Sequence, residues 1–451
     1  MKQIFAPIIL LITLLASCQQ KQAPKDLSNR YIGEVTNKMT DIMVHDITNP
    51  PLAARFFAYA CLAGYEVVTQ NDSNFSSMKG VLNEYPNISK PPGLENHNYQ
   101  VSTIMAMVET AKKLQPSGPD FKEFEDRLVE DFLEMGFSEE TIEESSRYGL
   151  AISQEILAYA RTDRYTFISN FPRYTPSGTE GAWYPTPPGY FPPVEPYFNT
   201  IRSFTLDSAA QFLPEPPVSF SEEKNSPFFQ LTKEVYEADL SAENKEIAAF
   251  WDCNPFALQD NGHLMVGMKK ISPGAHWMGI ADLACQQAEL DFQKSMEVQT
   301  MVAIGLTDGF ITCWDEKFRS NRIRPETVIR KHIDPQWVPF LQTPPFPEYL
   351  SGHSTISTAA SVILTHYLGD NFKFSDTVEE RFGLKARTFD SFSHAAEEAA
   401  ISRLYGGIHF MDAIVNGQKQ GARVGNWVIQ SVAGRPWEEV SIRKTLHQNV
   451  P

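Results

Sequence analysis

Residues 343–367 read TPPFPEYLSGHSTISTAASVILTHY and join a Pro-rich lead-in to a helix. Apolar residues with helical spacing follow over 354–368. Ser351, Gly352 and His353 then lie at the helix N-terminus, where free N–H groups and the helix dipole attract an oxyanion. The stretch therefore predicts a helix that begins at an anion-binding loop. A serine that merely caps a structural helix is the alternative explanation.

Helical spacing continues along most of the chain, and no alternating strand pattern of useful length is evident. Helices are predicted from Pro51 onward and over 98–115, 121–136, 139–161, 228–250, 275–296, 297–315, 377–405 and 410–432. A chain of 451 residues can bury a large core. The predicted fold is all-α, with two four-helix-bundle-like cores merged into one body. The predicted regions are an N-terminal helical region over 31–215 and a C-terminal catalytic domain over 216–451.

The segment 172–196 interrupts the helical pattern with eight prolines interleaved with aromatic residues. A flexible linker would be rich in Gly and Ser and would lack aromatic side chains. This segment is therefore predicted to be an extended loop that packs on the helical body.

Charge and cysteine content narrow the possible partners. The chain has 39 basic and 55 acidic residues, with a formal net charge of −16, which argues against a nucleic-acid partner. Any anionic ligand must bind at a local basic cluster.

Beyond residue 18 the cysteines are Cys61, Cys253, Cys285 and Cys313, without a C-x-x-C pair. Four buried thiols are expected, and the alternative of a disulfide between two of them stays open.

The N-terminus has the features of an export signal. A single Lys2 precedes an apolar run over 5–15, which is too short to span a bilayer permanently. The run ends in Leu-Ala-Ser-Cys at 15–18, which resembles a bacterial lipobox. Residues 1–17 are therefore predicted to be a lipoprotein signal peptide, Cys18 the lipidated residue and 18–30 a tether. The expected location is the cell envelope, facing the periplasm or on the outer membrane.

Two further blocks concentrate residues that suit oxyanion chemistry. Residues 314–325 read WDEKFRSNRIRP, and on one continuous helix Lys317 and Arg324 would project from the same face, with Pro325 ending the helix. A solvated charged helix is the alternative. Residues 402–412 read SRLYGGIHFMD, and the Gly-Gly pair is expected to break the helix so that Arg403 and His409 converge. Here the alternative is a structural core histidine.

Taken in order, these motifs resemble the signature of the superfamily that joins type 2 phosphatidic acid phosphatases, bacterial acid phosphatases and vanadium-dependent haloperoxidases. The resemblance covers about 315–425 tightly. It implies that five groups hold the oxygens of phosphate or of one vanadate per chain. It also implies that His409 is the vanadium ligand or phosphoryl acceptor and that His353 is the acid/base. The five implied oxyanion-binding residues are Lys317, Arg324, Ser351, Gly352 and Arg403.

The sequence departs from the superfamily pattern at two positions. Leu350 replaces a frequent Pro, which changes only loop stiffness. The family usually has Asp four residues after the third-motif His, and here that position is Ala413, with Asp412 one residue short. A missing carboxylate partner weakens the case for a phosphohistidine and favours vanadate ligation, unless Asp412 or a backbone carbonyl substitutes.

Other positions resemble the chloroperoxidase-like bacterial haloperoxidases. Trp314 and Phe346 match aromatic positions that flank vanadate and would form a halide pocket, although plain core packing is an alternative. Segments 183–188 and 251–254 are also similar, and Asp252 is expected to pair with Arg403. The predicted function is oxidation of halide by hydrogen peroxide to hypohalous acid, with iodide or bromide favoured. The alternatives are an acid phosphatase with a phosphohistidine intermediate and a non-enzymatic binding lipoprotein; the oligomeric state is open.

Overall fold

The computed structural model describes residues 26–260, 265–268 and 270–433, and this part of the chain is mostly helical. The first half contains α1 (Arg30–His45), α2 (Pro50–Asn71), α3 (Tyr99–Leu114), α4 (Lys122–Glu134) and α5 (Glu139–Arg161). The second half contains α6 (Pro227–Tyr236), α7 (Ala242–Phe250), α8 (Pro273–Gln287), α9 (Phe292–Ser320), α10 (Pro325–His332), α11 (Gly352–Leu368), α12 (Phe392–Tyr405) and α13 (Met411–Ala433). The predicted all-α class is confirmed.

Short strands and breaks account for the differences from the predicted helices. Two antiparallel pairs, β1 (Leu258–Asp260) with β2 (Met265–Gly267) and β3 (Phe374–Asp376) with β4 (Arg387–Phe389), were not predicted. Of the predicted helix over 377–405, only α12 is an α-helix, and 228–250 divides into α6 and α7. Capping side chains fix these boundaries: Ser241, Asp291 and Ser391 each accept a hydrogen bond from the backbone N–H three residues on.

One large hydrophobic core joins the two predicted regions, because it contains side chains of α1–α5 as well as of α7–α9 and α11–α13. The long helix α9 runs through it and packs against α2, α8, α11 and α13. Helix α13 approaches α11 through a stripe of glycines. A Cβ at Gly421 would lie 2.1 Å from the Thr355 carbonyl oxygen. A Cβ at Gly417 or Gly425 would lie 2.9 or 2.8 Å from the carbonyl oxygen of Ser351 or Ala359. This close packing fixes the start of α11, which carries the Ser-Gly-His motif.

The Pro-rich segment packs on the helices that carry the candidate site. The Trp183 side chain is buried, and its backbone N–H donates to the Asn321 carbonyl over 2.8 Å. Further along, the Val194 N–H donates to the Pro345 carbonyl over 3.0 Å. The segment therefore has the extended, packed form that its aromatic residues predict.

The predicted signal peptide and Cys18 lie outside the described residues. The end of the predicted tether is described and is attached to the body: Leu27 is buried and its N–H donates to Gln100 Oε1 over 2.8 Å. Among the described helices, none is long and apolar enough to span a bilayer. The four predicted thiols are buried and free, without a disulfide between them.

Candidate active site

Lys317 and Arg324 belong to different helices, so the predicted shared helix face is wrong. Helix α9 ends at Ser320 because Asn321 adopts a left-handed conformation with φ of 48°. Pro325 starts α10 instead of ending α9, with Arg324 as its N-cap. A turn, rather than helical periodicity, therefore brings the two cationic side chains together.

Lys317 is fully buried, and its ammonium donates hydrogen bonds to three backbone carbonyls. These are the carbonyls of Pro347 at 2.9 Å, of Glu348 at 3.1 Å, and of Leu350. Burial lowers the pKa of Lys317 to about 7, and the nearby Arg324 guanidinium also acts in that direction. The lead-in to α11 thus wraps around a cation.

Arg324 joins the lead-in segment to the third motif. Its Nε donates to the Phe346 carbonyl over 2.9 Å, and its Nη1 donates to the Ile408 carbonyl over 2.8 Å and lies 3.2 Å from His409 Nε2. Its Nη2 is buried and has no hydrogen-bond partner among the described residues. Burial lowers the pKa of Arg324 to about 10. The guanidinium therefore has a donor in reserve next to the His409 ring.

The Ser-Gly-His motif begins α11, as predicted. Ser351 is the N-cap, and its Oγ accepts from the Ser354 N–H over 3.2 Å. Gly352 lies beside Trp314 and Lys317, since a Cβ at this position would meet them at 3.5 and 4.0 Å. Ser351 thus has the structural capping role that was considered as the alternative, while Gly352 packs against the Trp314 ring and the Lys317 side chain.

His353 follows in the first turn of α11, with a ring nitrogen free for chemistry. Its Nε2 is buried, and no group in the described part of the chain hydrogen bonds to it. Burial, followed by the charge of Arg403, lowers the pKa of His353 well below its usual range. The imidazole is therefore neutral at physiological pH, and a group bound in the cleft can hydrogen bond to it.

The Gly-Gly pair breaks the helix as predicted. Helix α12 ends at Tyr405, Gly407 adopts a φ of 74°, and His409 lies in the loop before α13. Arg403 and His409 consequently line the same cleft. Arg403 Nη2 donates to the Trp251 carbonyl over 2.7 Å, and burial lowers the pKa of Arg403 to about 10.

His409 has a carboxylate partner that sequence reasoning missed. Its Nδ1 lies 2.9 Å from Oε1 of Glu348, which also accepts from the Phe410 N–H over 3.0 Å. Nδ1 thus carries the proton and Nε2 keeps its lone pair, in the tautomer that suits a ligand. The expectation that Ala413 leaves His409 without a carboxylate is wrong. Glu348 is 61 positions away, so spacing after the histidine could not reveal it.

Asp412 does not substitute for the missing family carboxylate, because it faces another partner. Its two oxygens accept from Arg322 Nη1 over 2.6 Å and Nη2 over 2.7 Å. Arg322 Nε in turn donates to Glu348 Oε2 over 2.6 Å. The buried chain Asp412–Arg322–Glu348–His409 therefore holds the imidazole in place. The sequence signal for this partner was the acidic residue Glu348 in the Pro-rich lead-in before α11.

An aromatic wall stands beside the cations. The rings of Trp314 and Phe346 have centroids 5.0 Å apart, and Lys317 Nζ lies 5.0 Å from the Phe346 centroid. Phe310 packs on Trp314 at 5.3 Å. The Trp314 Nε1–H donates to the Val194 carbonyl over 3.1 Å. The one hydrogen-bond donor of the indole ring is therefore bonded to the Pro-rich segment.

One cleft brings these groups together. Gly352, His353, Arg403, His409 and the aromatic wall line it. Lys317, Arg324 and Ser351 lie in the adjoining layer and reach the cleft through these neighbours.

Asp252 also lines the cleft, but its predicted ion pair with Arg403 does not form. Within the described residues, the Asp252 carboxylate pairs with Lys270, and the Arg403 guanidinium instead donates to the backbone carbonyls of Trp251 and Ala248 and to Ser402 Oγ. Asp252 acts on Arg403 only at longer range, where its charge raises the pKa of Arg403 against the effect of burial. The negative charge of Asp252 is already paired, which leaves Arg403 available to an anion.

The charges around the cleft suit an oxyanion. Three buried cations have lowered pKa values because desolvation is not offset by enough nearby carboxylates. His409 also has a pKa well below its usual range, because of burial and then the charge of Arg324. An anion placed here would satisfy the unpaired donors and stabilise the charged side chains.

Comparisons with known proteins identify the family of this chain. A family model described as the VCPO second helical-bundle domain matches residues 297–436, which contain all three motifs. The crystal structure of a bacterial vanadium-dependent iodoperoxidase matches with a TM-score of 0.85 and 43% identity, covering 91% of this chain and 98% of that one.

Two more distant structures share the fold. Holo and apo forms of a bacterial vanadium-dependent chloroperoxidase match with TM-scores of 0.64 and 0.63, each at 14% identity and over 86% of this chain. The matches cover 93% of the holo chain and 95% of the apo chain. No curated protein sequence matches. The identity and coverage of the iodoperoxidase match show that the chain belongs to the bacterial vanadium-dependent haloperoxidases.

Proposed function

We propose that this chain is a vanadate-dependent haloperoxidase that uses hydrogen peroxide to oxidise iodide, with bromide as a slower substrate, to hypohalous acid. Haloperoxidase activity and the vanadate cofactor follow from the family. The preference for iodide is the further step, and it rests on the cleft wall and on the 43% identity to a protein described as an iodoperoxidase.

The residues of the cleft fit vanadate. A tetrahedral oxyanion needs several fixed donors around its oxygens and one in-line nitrogen. Among the described residues, Arg324 Nη2 and His353 Nε2 are buried without a hydrogen-bond partner, and the His409 Nε2 lone pair faces Arg324 Nη1 at 3.2 Å. Arg324, Gly352 and Arg403 would hold the oxygens, Lys317 would add its positive charge beside them, Ser351 would support the loop, and His409 would be the ligand.

Vanadate, when bound, supplies a Lewis-acidic centre that activates hydrogen peroxide toward halide. The protein contributes fixed charge and proton handling. Neutral His353 can accept a proton at Nε2 as peroxide enters and can return it as hypohalous acid leaves. Lys317 and Arg324 stabilise negative charge without reorganisation, because backbone carbonyls already hold them.

The aromatic wall supports the choice of halide. Trp314 and Phe346 present ring surfaces to the cleft, and the indole N–H is already bonded to Val194. Because this wall offers no hydrogen-bond donor, a small, strongly hydrated chloride would lose water without replacement. Iodide loses less hydration and is the easiest halide to oxidise, so it should react fastest.

The observation that carries the proposal is the convergence of Arg324, His353, Arg403 and His409 around one cleft with unpaired buried donors. The test is kcat/KM for iodide, bromide and chloride with vanadate-loaded protein. We expect the order iodide, bromide, chloride. Equal or faster turnover of chloride would contradict the proposed preference.

We also propose that the mature protein is a cell-envelope lipoprotein anchored through Cys18. The support is the lipobox-like sequence at 15–18 after an apolar run of suitable length. Cys18→Ser should leave unprocessed precursor or release soluble protein, whereas wild type should fractionate with membranes. Fully soluble wild-type protein would refute the anchor.

A further inference from the structure

A second cluster of reactive side chains lies beside the cleft and is not used by the oxyanion site. Cys253 follows α7, His276 lies in the first turn of α8, and Glu379 precedes the short turn of 3-10 helix Glu380–Phe382. All three are buried, with 2%, 0% and 6% of their surfaces exposed. Among the described residues, theirs is the group of His, Cys and carboxylate atoms close enough to share a metal ion.

The three ligand atoms have the spacing of a tetrahedral metal site. Cys253 Sγ lies 3.4 Å from His276 Nδ1 and 3.6 Å from Glu379 Oε1, and His276 Nδ1 lies 3.5 Å from Glu379 Oε1. For metal–ligand bonds of about 2.0–2.3 Å, the edges of a tetrahedron measure about 3.3–3.7 Å. One ion can therefore contact all three atoms with little movement of the protein.

A neighbouring carboxylate orients the histidine for this purpose. His276 Nε2 lies 2.8 Å from Oδ2 of Asp376, whose other oxygen accepts from the Val378 N–H over 3.0 Å. With the Nε2 proton held by Asp376, loss of the Nδ1 proton leaves a lone pair directed at the thiol and at Glu379. Carboxylate–histidine–metal arrangements of this kind are usual at zinc sites. The Trp251 ring stacks on the imidazole at 4.7 Å and fixes its plane.

We propose that Cys253, His276 and Glu379 bind one divalent transition-metal ion, of which zinc is the best fit, at a site separate from vanadate. A sulfur, nitrogen and oxygen donor set disfavours magnesium and calcium. Binding releases to solvent the Cys253 thiol proton and any proton carried by His276 Nδ1 or by Glu379. A dipositive ion with a thiolate and a carboxylate has zero net charge, which is the least costly arrangement in a buried place. The fourth position is left for water.

The site has a direct structural connection to the oxyanion cleft. Cys253 lines that cleft, and Trp251, two residues earlier, accepts the hydrogen bond from Arg403 through its carbonyl. A bound ion would therefore fix the segment that positions Arg403. This proposal does not depend on which halide the protein oxidises.

The test is titration of the whole, chelator-treated protein with Co²⁺, followed by optical absorption and by metal analysis after Zn²⁺ loading. We expect one equivalent of Co²⁺ and a thiolate-to-cobalt charge-transfer band. Cys253→Ala should abolish the band, and Asp376→Asn should weaken binding by about 10- to 100-fold. Cys285→Ala is the matched control, a buried cysteine outside the cluster, and it should keep the band.

Results from wild type alone also decide the matter if a variant fails to fold. Zn²⁺ should raise the Tm of the chelator-treated wild type by binding the native state. No charge-transfer band and no change in Tm in wild type would overturn the proposal. A band that persists in folded Cys253→Ala would overturn it as well, since the thiol would then lie elsewhere.

Discussion

Replacing Glu348 by Gln tests whether the buried carboxylate prepares His409 to bind vanadate. Glu348 Oε1 accepts from His409 Nδ1 and Phe410 N, and Oε2 accepts from Arg322. If the amide oxygen faces His409, the amide N–H group opposes the Arg322 guanidinium. In the other orientation the amide N–H group faces His409 Nδ1, which must then accept a hydrogen bond. The imidazole proton moves to Nε2, and Nε2 loses the lone pair that would bind vanadium.

Either orientation should weaken vanadate binding by about 10- to 100-fold, or about 1.4–2.7 kcal/mol, as expected when a carboxylate behind a ligating histidine is lost. The free energy of unfolding should also fall. Breaking a buried ion pair costs about 3–5 kcal/mol. The fall in the free energy of unfolding should be smaller here, because Arg322 retains its ion pair with Asp412.

Calorimetric titration of metal-free protein with orthovanadate measures the affinity, and urea denaturation measures stability. Asp412→Asn is the matched control, since Asp412 contacts Arg322 but not His409. It should lower stability and weaken vanadate affinity far less than Glu348→Gln does, because Asp412 acts on the imidazole only through Arg322. Wild-type affinity in Glu348→Gln, or an equal loss in Asp412→Asn, would refute the orienting role of Glu348.

Three further predictions concern the cleft. His409→Ala should abolish vanadate-dependent activity, whereas His353→Ala should reduce kcat far more than vanadate affinity, as measured by steady-state kinetics beside calorimetry; equal losses of affinity would contradict the division of roles. Lys317 must be protonated to attract an anion, and its pKa in the free protein is about 7, so vanadate affinity should fall as pH rises from 7 to 9. Lys317→Arg, which stays charged, should lack that part of the pH dependence, and identical profiles would count against it. Phosphate should compete with vanadate for the same cations, so that peroxidase activity falls as phosphate rises and recovers with excess vanadate; insensitivity to phosphate would place vanadate elsewhere.

Local sequence signals predicted the parts of the site that local geometry controls. Ser351 begins α11 and Gly407 follows the break after α12 because capping and backbone freedom depend on adjacent residues. The arrangement of Lys317 and Arg324 was mispredicted because a left-handed Asn321, which has no strong sequence signature, ends α9 early.

The long-range partners could not be predicted from spacing. Glu348 reaches His409 across the fold, and Asp412, next to the expected position, turns to Arg322 instead. The haloperoxidase prediction is confirmed, although its argument from Ala413 is wrong, because the imidazole does have a carboxylate. Tertiary packing, not sequence distance, selects which acid contacts the histidine.

The most direct test compares two reactions of the same purified protein. Vanadate-loaded protein is given hydrogen peroxide and iodide, and metal-free protein is given a generic phosphomonoester. We expect iodide-dependent peroxide consumption in the first assay and little ester hydrolysis in the second. Robust ester hydrolysis that vanadate inhibits, with no halide-dependent peroxide consumption, would contradict the assignment as a haloperoxidase.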